Sequence, residues 1–116
     1  MTLREIRDIL EADVLCGGDQ LDTQVLSACG SDFMSDVLAY VKNQAMLLTG
    51  LVNPQVVRTA DMMDMKCIVF VRGKRPDEAI LKLARERDIV VMATVLPMYS
   101  ACGKLYLAGL RGESED

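Results

Sequence analysis

Four short stretches carry residue types suited to holding an anion: Cys29-Gly30-Ser31-Asp32, Thr49-Gly50-Leu51-Val52-Asn53, Arg72-Gly73-Lys74-Arg75 and Thr94. Three of them pair a glycine with hydroxyl, amide or cationic side chains, and Thr94 follows an apolar run directly. At a turn between a strand and a helix, such residues present backbone N–H groups at the positive end of the helix dipole. The candidate contacts are therefore Gly30, Ser31, Asp32, Thr49, Gly50, Asn53, Arg72, Gly73, Lys74 and Thr94. Glycines and cap residues also belong at strand-to-helix turns with no ligand at all. Neither G-x-x-x-x-G-K-[ST] nor G-x-G-x-x-G occurs, so no nucleotide-loop fingerprint is present.

Other chemistry is harder to build from this chain. It contains no histidine, which removes the usual general base and the commonest metal ligand. The 4 cysteines, Cys16, Cys29, Cys67 and Cys102, form no C-x-x-C pair, so zinc and iron–sulfur spacings are missing and no metal is expected. Cys29 before a helix start invites a nucleophilic reading, since a helix N-terminus lowers a thiol pKa. Without a histidine partner, a small packed cysteine is the better reading, and no catalytic residue is assigned. Asp13, Asp19 and Asp22 miss the EF-hand spacing. Met62, Met63 and Met65 read as gap-filling core more than as a partner surface. The run Arg85-Glu86-Arg87-Asp88 reads as a solvated helix face.

Charge and composition narrow the partners. The formal charge is −4, with 2 Phe, 3 Tyr and no Trp. That balance lacks both the basic footprint and the stacking platform of a nucleic-acid binder. The opening "MTLREIRDIL" is broken by charges and is no signal peptide, and no apolar run is long enough to span a membrane. A cytoplasmic chain with reduced thiols and no cofactor is the expectation.

The elements that would position these turns follow from periodicity. Thr2 and Glu5 have capping-box spacing before Leu3, Ile6, Ile9 and Leu10, which share one helical face. A short strand, a Gly17-Gly18-Asp19 turn and a second strand through Val25 to Cys29 come next. Three continuous apolar runs then begin about 22 residues apart: Ala45–Thr49, Cys67–Val71 and Ile89–Ala93. Unbroken hydrophobicity marks strands covered on both faces, and the spacing suits βαβ crossovers. The intervening helices carry the stripes Met34, Val37, Leu38, Val41, then Val56, Val57, Ala60, Met63, then Ile80, Leu83, Ala84. Asn53-Pro54 and Pro76-Asp77-Glu78 supply two of their starts. A last helix after Pro97 carries Leu105, Leu107 and Leu110. The chain of 116 residues thus reads as one α/β domain, a three-layer fold with a mostly parallel central sheet flanked by helices. The domain spans 1–110, and 111–116 form a charged, disordered tail.

Three segments resemble the DRTGG domain family, in particular its small stand-alone members: "LREIRDILEADVLCG", "LLTGLVNPQVVRTADMMDMKCIVFVRGKRPDE" and "IVVMATVLPMYSACGKL". The naming motif is replaced here, with Asn53-Pro54 where the family tends to have Asp-Arg and Val71-Arg72-Gly73 where it has Thr-Gly-Gly. The resemblance implies an α/β regulatory module without a known reaction. The same module is found fused to phosphotransacetylases, CBS-domain pyrophosphatases and relatives of cobyrinic acid synthases, and it is similar to the N-terminal domain of HPr kinase. Because the fused domain tends to sit at subunit contacts, the resemblance also implies a homodimer. Two functions remain open: a non-enzymatic ligand-sensing module for a nucleotide or other small anion, and a homodimeric module that docks onto a protein partner with no ligand of its own.

Overall fold

Helix α1 (Leu3–Leu10) begins at a reciprocal capping box in the computed structural model, which describes residues 1–40 and 44–112. The Glu5 amide donates to Thr2 Oγ1 at 3.2 Å, and the Thr2 amide donates to Glu5 Oε1 at 3.0 Å. The Thr2 amide, and the Thr2 hydroxyl that also donates to Glu5 Oε1 at 3.1 Å, hold the Glu5 pKa below its ordinary value. Leu3, Ile6 and Leu10 form the buried face at the expected spacing.

The apolar runs form strands in the order expected: β1 (Asp13–Cys16), β2 (Ser27–Gly30), β3 (Ala45–Thr49), β4 (Cys67–Phe70) and β5 (Val90–Ala93). Between them lie α2 (Met34–Tyr40), α3 (Pro54–Met62) and α4 (Glu78–Glu86), and α5 (Met98–Leu107) follows β5. The sheet order is β1-β5-β4-β3-β2. β2 to β5 are parallel, each beside its neighbour in sequence, and β1 joins β5 antiparallel. β2 starts two residues later than the sequence suggests, because the Val25 amide is spent on the Met1 carbonyl.

Residue alternation along the strands divides the core in two. Met46, Leu48, Val69, Val90 and Met92 pack with Leu3, Ile6 and Leu10 of α1 and with Ala101 and Leu105 of α5. Leu47, Ile68, Phe70 and Val91 pack with Val37, Val57, Ala60, Ile80 and Ala84 of the middle helices. Successive right-handed crossovers that always step to the next strand place α2, α3 and α4 on one face. The other face is left for α1 and α5. The molecule is therefore a three-layer α/β domain with a mostly parallel sheet.

Some stripe positions differ from expectation. Leu38 and Leu107 are exposed, whereas Leu110 is buried. The methionine cluster divides, with Met65 in the core and Met62 exposed where α3 ends. Val41 lies outside the described residues, as do residues 113–116 of the expected tail. Arg111, one residue past the expected boundary at 110, bridges Ser27, and its carbonyl accepts the Ala28 amide at 3.1 Å. Among the described residues, no helix is long and apolar enough to cross a membrane.

Candidate functional site

The loops at the carboxyl ends of the parallel strands are stitched to one another by backbone bonds. The Ser31 amide donates to the Leu48 carbonyl at 3.0 Å, and the Val71 amide to the Thr49 carbonyl at 3.0 Å. The Arg72 amide donates to Leu96 O at 2.8 Å, and the Gly73 amide to Thr94 O at 2.9 Å. This stitching forces an unusual turn: Arg72 has φ 61 and Gly73 φ 72, two successive residues in the left-handed region. Glycine meets that demand freely, while arginine adopts it at a steric cost.

Asp32, Thr49, Gly50 and Arg72 converge on one point of this rim. Asp32 Oδ1 accepts the Gly50 amide at 2.7 Å and the Thr49 hydroxyl at 3.3 Å. The Arg72 guanidinium donates to Asp32 Oδ2 at 3.4 Å. The Thr49 hydroxyl oxygen in turn accepts the Leu51 amide at 3.1 Å, which fixes its rotamer. Gly50 leaves room for the guanidinium, since a Cβ there would stand 2.1 Å from Arg72 Nη2 and push that group away. A backbone N–H, a hydroxyl and a guanidinium thus point at one carboxylate, a donor set that suits an anion.

The other sequence candidates lie around this cluster or away from it. Asn53 Oδ1 accepts the Val56 amide at 3.3 Å and is occupied as the cap of α3. The Ser31 hydroxyl closes the loop on Phe33, accepting its amide at 3.0 Å. Lys74 is exposed and pairs with no carboxylate among the described residues, while Arg75 is paired with Asp13. Thr94 is buried, and its hydroxyl donates to the Leu10 carbonyl at 2.8 Å. Gly30 faces the opposite layer, where a Cβ would stand 2.8 Å from Cys102 Sγ on α5.

Gly30 borders a second feature, a groove of about 220 Å³ lined by Leu48, Cys102, Leu105, Tyr106 and Arg111 among others. The Arg111 guanidinium lies 3.8 Å from the centre of the Tyr106 ring. Sequence reasoning missed this groove because it joins residues far apart in the chain through the docking of α5. No local spacing announces that contact.

Burial pushes all four thiols up. For Cys29 the charge of Asp36 adds to the effect of burial, so its thiol is held neutral at pH 7. Among the described residues, no three His, Cys, Asp or Glu side chains come together as a metal ion would require. The four parallel strands step in one direction without a reversal of order, so the sheet has no crevice at a topological switch point. A ligand here would be held on an open rim.

The family model described as the DRTGG domain matches residues 5–106. No curated protein matches the chain. Among solved structures, the chain is similar to the CBS and DRTGG domains of the regulatory region of Clostridium perfringens pyrophosphatase, crystallised with the activator diadenosine tetraphosphate. The TM-score is 0.72 at 12% identity, covering 97% of this chain and 51% of that one. This chain therefore spans about half the length of that neighbour, and the likeness is one of fold.

Proposed function

This chain belongs to the DRTGG domain family, and from that premise we propose that it is a non-enzymatic regulatory module, acting in the cytoplasm, that senses a nucleotide or other small anion at the carboxyl rim of its sheet. The observation that carries the reading is the meeting of the Gly50 amide, the Thr49 hydroxyl and the Arg72 guanidinium at a single point. These are donors of the kind that recognise phosphate and carboxylate. Lys74 adds a second cation to the loop that bears Arg72 and Gly73. Ser31, Asp32, Asn53 and Gly30 belong to the neighbouring turns of the proposed rim, and Thr94 supports it from beneath. A nucleotide is the favoured ligand class because the regulatory region of the pyrophosphatase neighbour is complexed with a dinucleotide activator.

Thermal unfolding of the full chain with ATP, ADP and diadenosine tetraphosphate tests this proposal. A ligand that binds only the folded state raises the Tm as its concentration passes Kd. The expected result is a rise with at least one of these anions that Arg72→Ala abolishes. No rise with any of them, or a rise that survives Arg72→Ala, contradicts the proposed site.

A second reading is a homodimeric interaction module that docks onto a protein. It is favoured by the exposure of Phe33, Val95, Tyr99 and Leu107, the last at 88%. Each is a large apolar side chain that an assembly would remove from water. Sedimentation velocity at micromolar concentration separates the two states: a dimer supports this reading, and a strict monomer counts against it.

A further inference from the structure

The anion cradle proposed above is already filled, and the group that fills it belongs to the protein. Asp32 leaves the β2–α2 loop and places one carboxylate oxygen 2.7 Å from the Gly50 amide nitrogen. It also takes the hydroxyl of Thr49 and the guanidinium of Arg72. All three donors that would hold an external anion are therefore directed at an internal one.

Of the three contacts, the ion pair with Arg72 is the weak one, and the bond from the Gly50 amide at 2.7 Å is the strong one. The side chains of Asp32 and Arg72 are 40% and 49% exposed, and their separation of 3.4 Å is long for a charge-assisted bond. Exposed pairs of this kind are weak and screened. The backbone that carries the donors, by contrast, is fixed. Thr49 ends the buried β3 and Gly50 follows it, Leu51 locks the Thr49 hydroxyl, and the Arg72 backbone is held by Leu96. Donors anchored on β3 and β4, facing a carboxylate that arrives from a separate loop, have the geometry of an intramolecular competitor.

We propose that Asp32 is a built-in competitor of the ligand: an anionic group enters the cradle by displacing the Asp32 carboxylate from Gly50 and Arg72. The inference rests on the reading of the rim as an anion site and adds its regulation. Displacement releases the Asp32 side chain next to the exposed Phe33, at the entry to α2. A dianionic phosphate group competes better than a monoanionic carboxylate, so the selectivity runs toward phosphorylated ligands.

Calorimetric titration of the full chain with inorganic pyrophosphate tests this, using wild type, Asp32→Asn, Asp32→Ala, Asp36→Asn and the double variant Asp32→Asn/Arg72→Gln. Circular dichroism of each variant verifies folding. The competitor model expects about tenfold tighter binding for both Asp32 variants, the scale of one lost charge contact. Asp36→Asn removes the same charge on α2 without touching the cradle, and should change affinity by less than about twofold at physiological salt. The double variant should lose the gain. Equal gains from Asp32→Asn and Asp36→Asn would reduce the effect to bulk charge and overturn the proposal. Weaker binding by the Asp32 variants would make Asp32 a ligand contact and overturn it too. Absence of binding in wild type and both Asp32 variants would overturn this inference together with the anion-site reading, an outcome distinct from the other two.

Discussion

Cys67 lies wholly inside the sheet, and burial drives its thiol pKa well above the ordinary 9.0. The sign of the consequence follows from linkage. Below about pH 9 the thiol is neutral in both folded and unfolded chains and costs nothing. Above it, the unfolded chain ionises while the folded one holds its proton, so stability falls as pH rises. Urea unfolding at pH 8 and pH 10.5 should show a loss that is smaller in Cys67→Ala, and an equal loss in both would refute the assignment. Gly50 gives a second prediction at this scale. In Gly50→Ala the new methyl group must displace the Arg72 guanidinium, which is the far end of a flexible side chain. Stability should change by no more than about 1 kcal/mol, as expected for an exposed ion pair. Anion binding should be lost, and retention of wild-type affinity would refute the role given to Arg72. The strand-end position of Gly50, Thr49 and Arg72 was legible in the sequence, because each follows or ends an unbroken apolar run. Their pairing was not. Asp32 and Arg72 stand 40 positions apart, and only the adjacency of β2, β3 and β4 brings them together.

At the scale of elements, what could be read was whatever acts over three or four residues. Thr2 with Glu5, Asn53 with Pro54 and Asp77 with Glu78 each place a cap or a charge one turn from its target. All three mark helix starts in the structure. The Asp77 carboxylate accepts the Ile80 amide at 3.0 Å. Asp77→Ala should therefore lower stability by about 1 kcal/mol, the usual worth of an N-cap, measured by urea unfolding at neutral pH. A change within error would mean that solvent replaces the cap without loss. Strand starts were less legible than helix starts. β2 is displaced from its apolar run because Val25 and Leu26 bond to Met1 and Gln44 before the ladder begins. The exposed Leu38 and Leu107 show the limit of periodicity: a helix stripe wider than the surface it covers leaves its margin in water.

At the scale of the molecule, the three-layer architecture was legible because unbroken apolar strands require cover on both faces. The place of β1 was not. It lies at the opposite edge of the sheet from β2, the next strand in the chain, and pairs antiparallel with β5. Nothing local in the sequence Asp13–Cys16 selects that distant partner. The one-directional order of the parallel strands has a functional corollary. With no crevice between diverging loops, the proposed site is an open rim where residues from the ends of β2, β3 and β4 meet at the Asp32 carboxylate. The most direct test is a titration of the 15N-labelled full chain with diadenosine tetraphosphate, followed by amide chemical shifts. The account predicts perturbations concentrated at Gly50, Arg72, Gly73 and Lys74, and lost in Arg72→Ala. Unchanged spectra, or shifts confined to the groove between Cys102 and Tyr106, would contradict it.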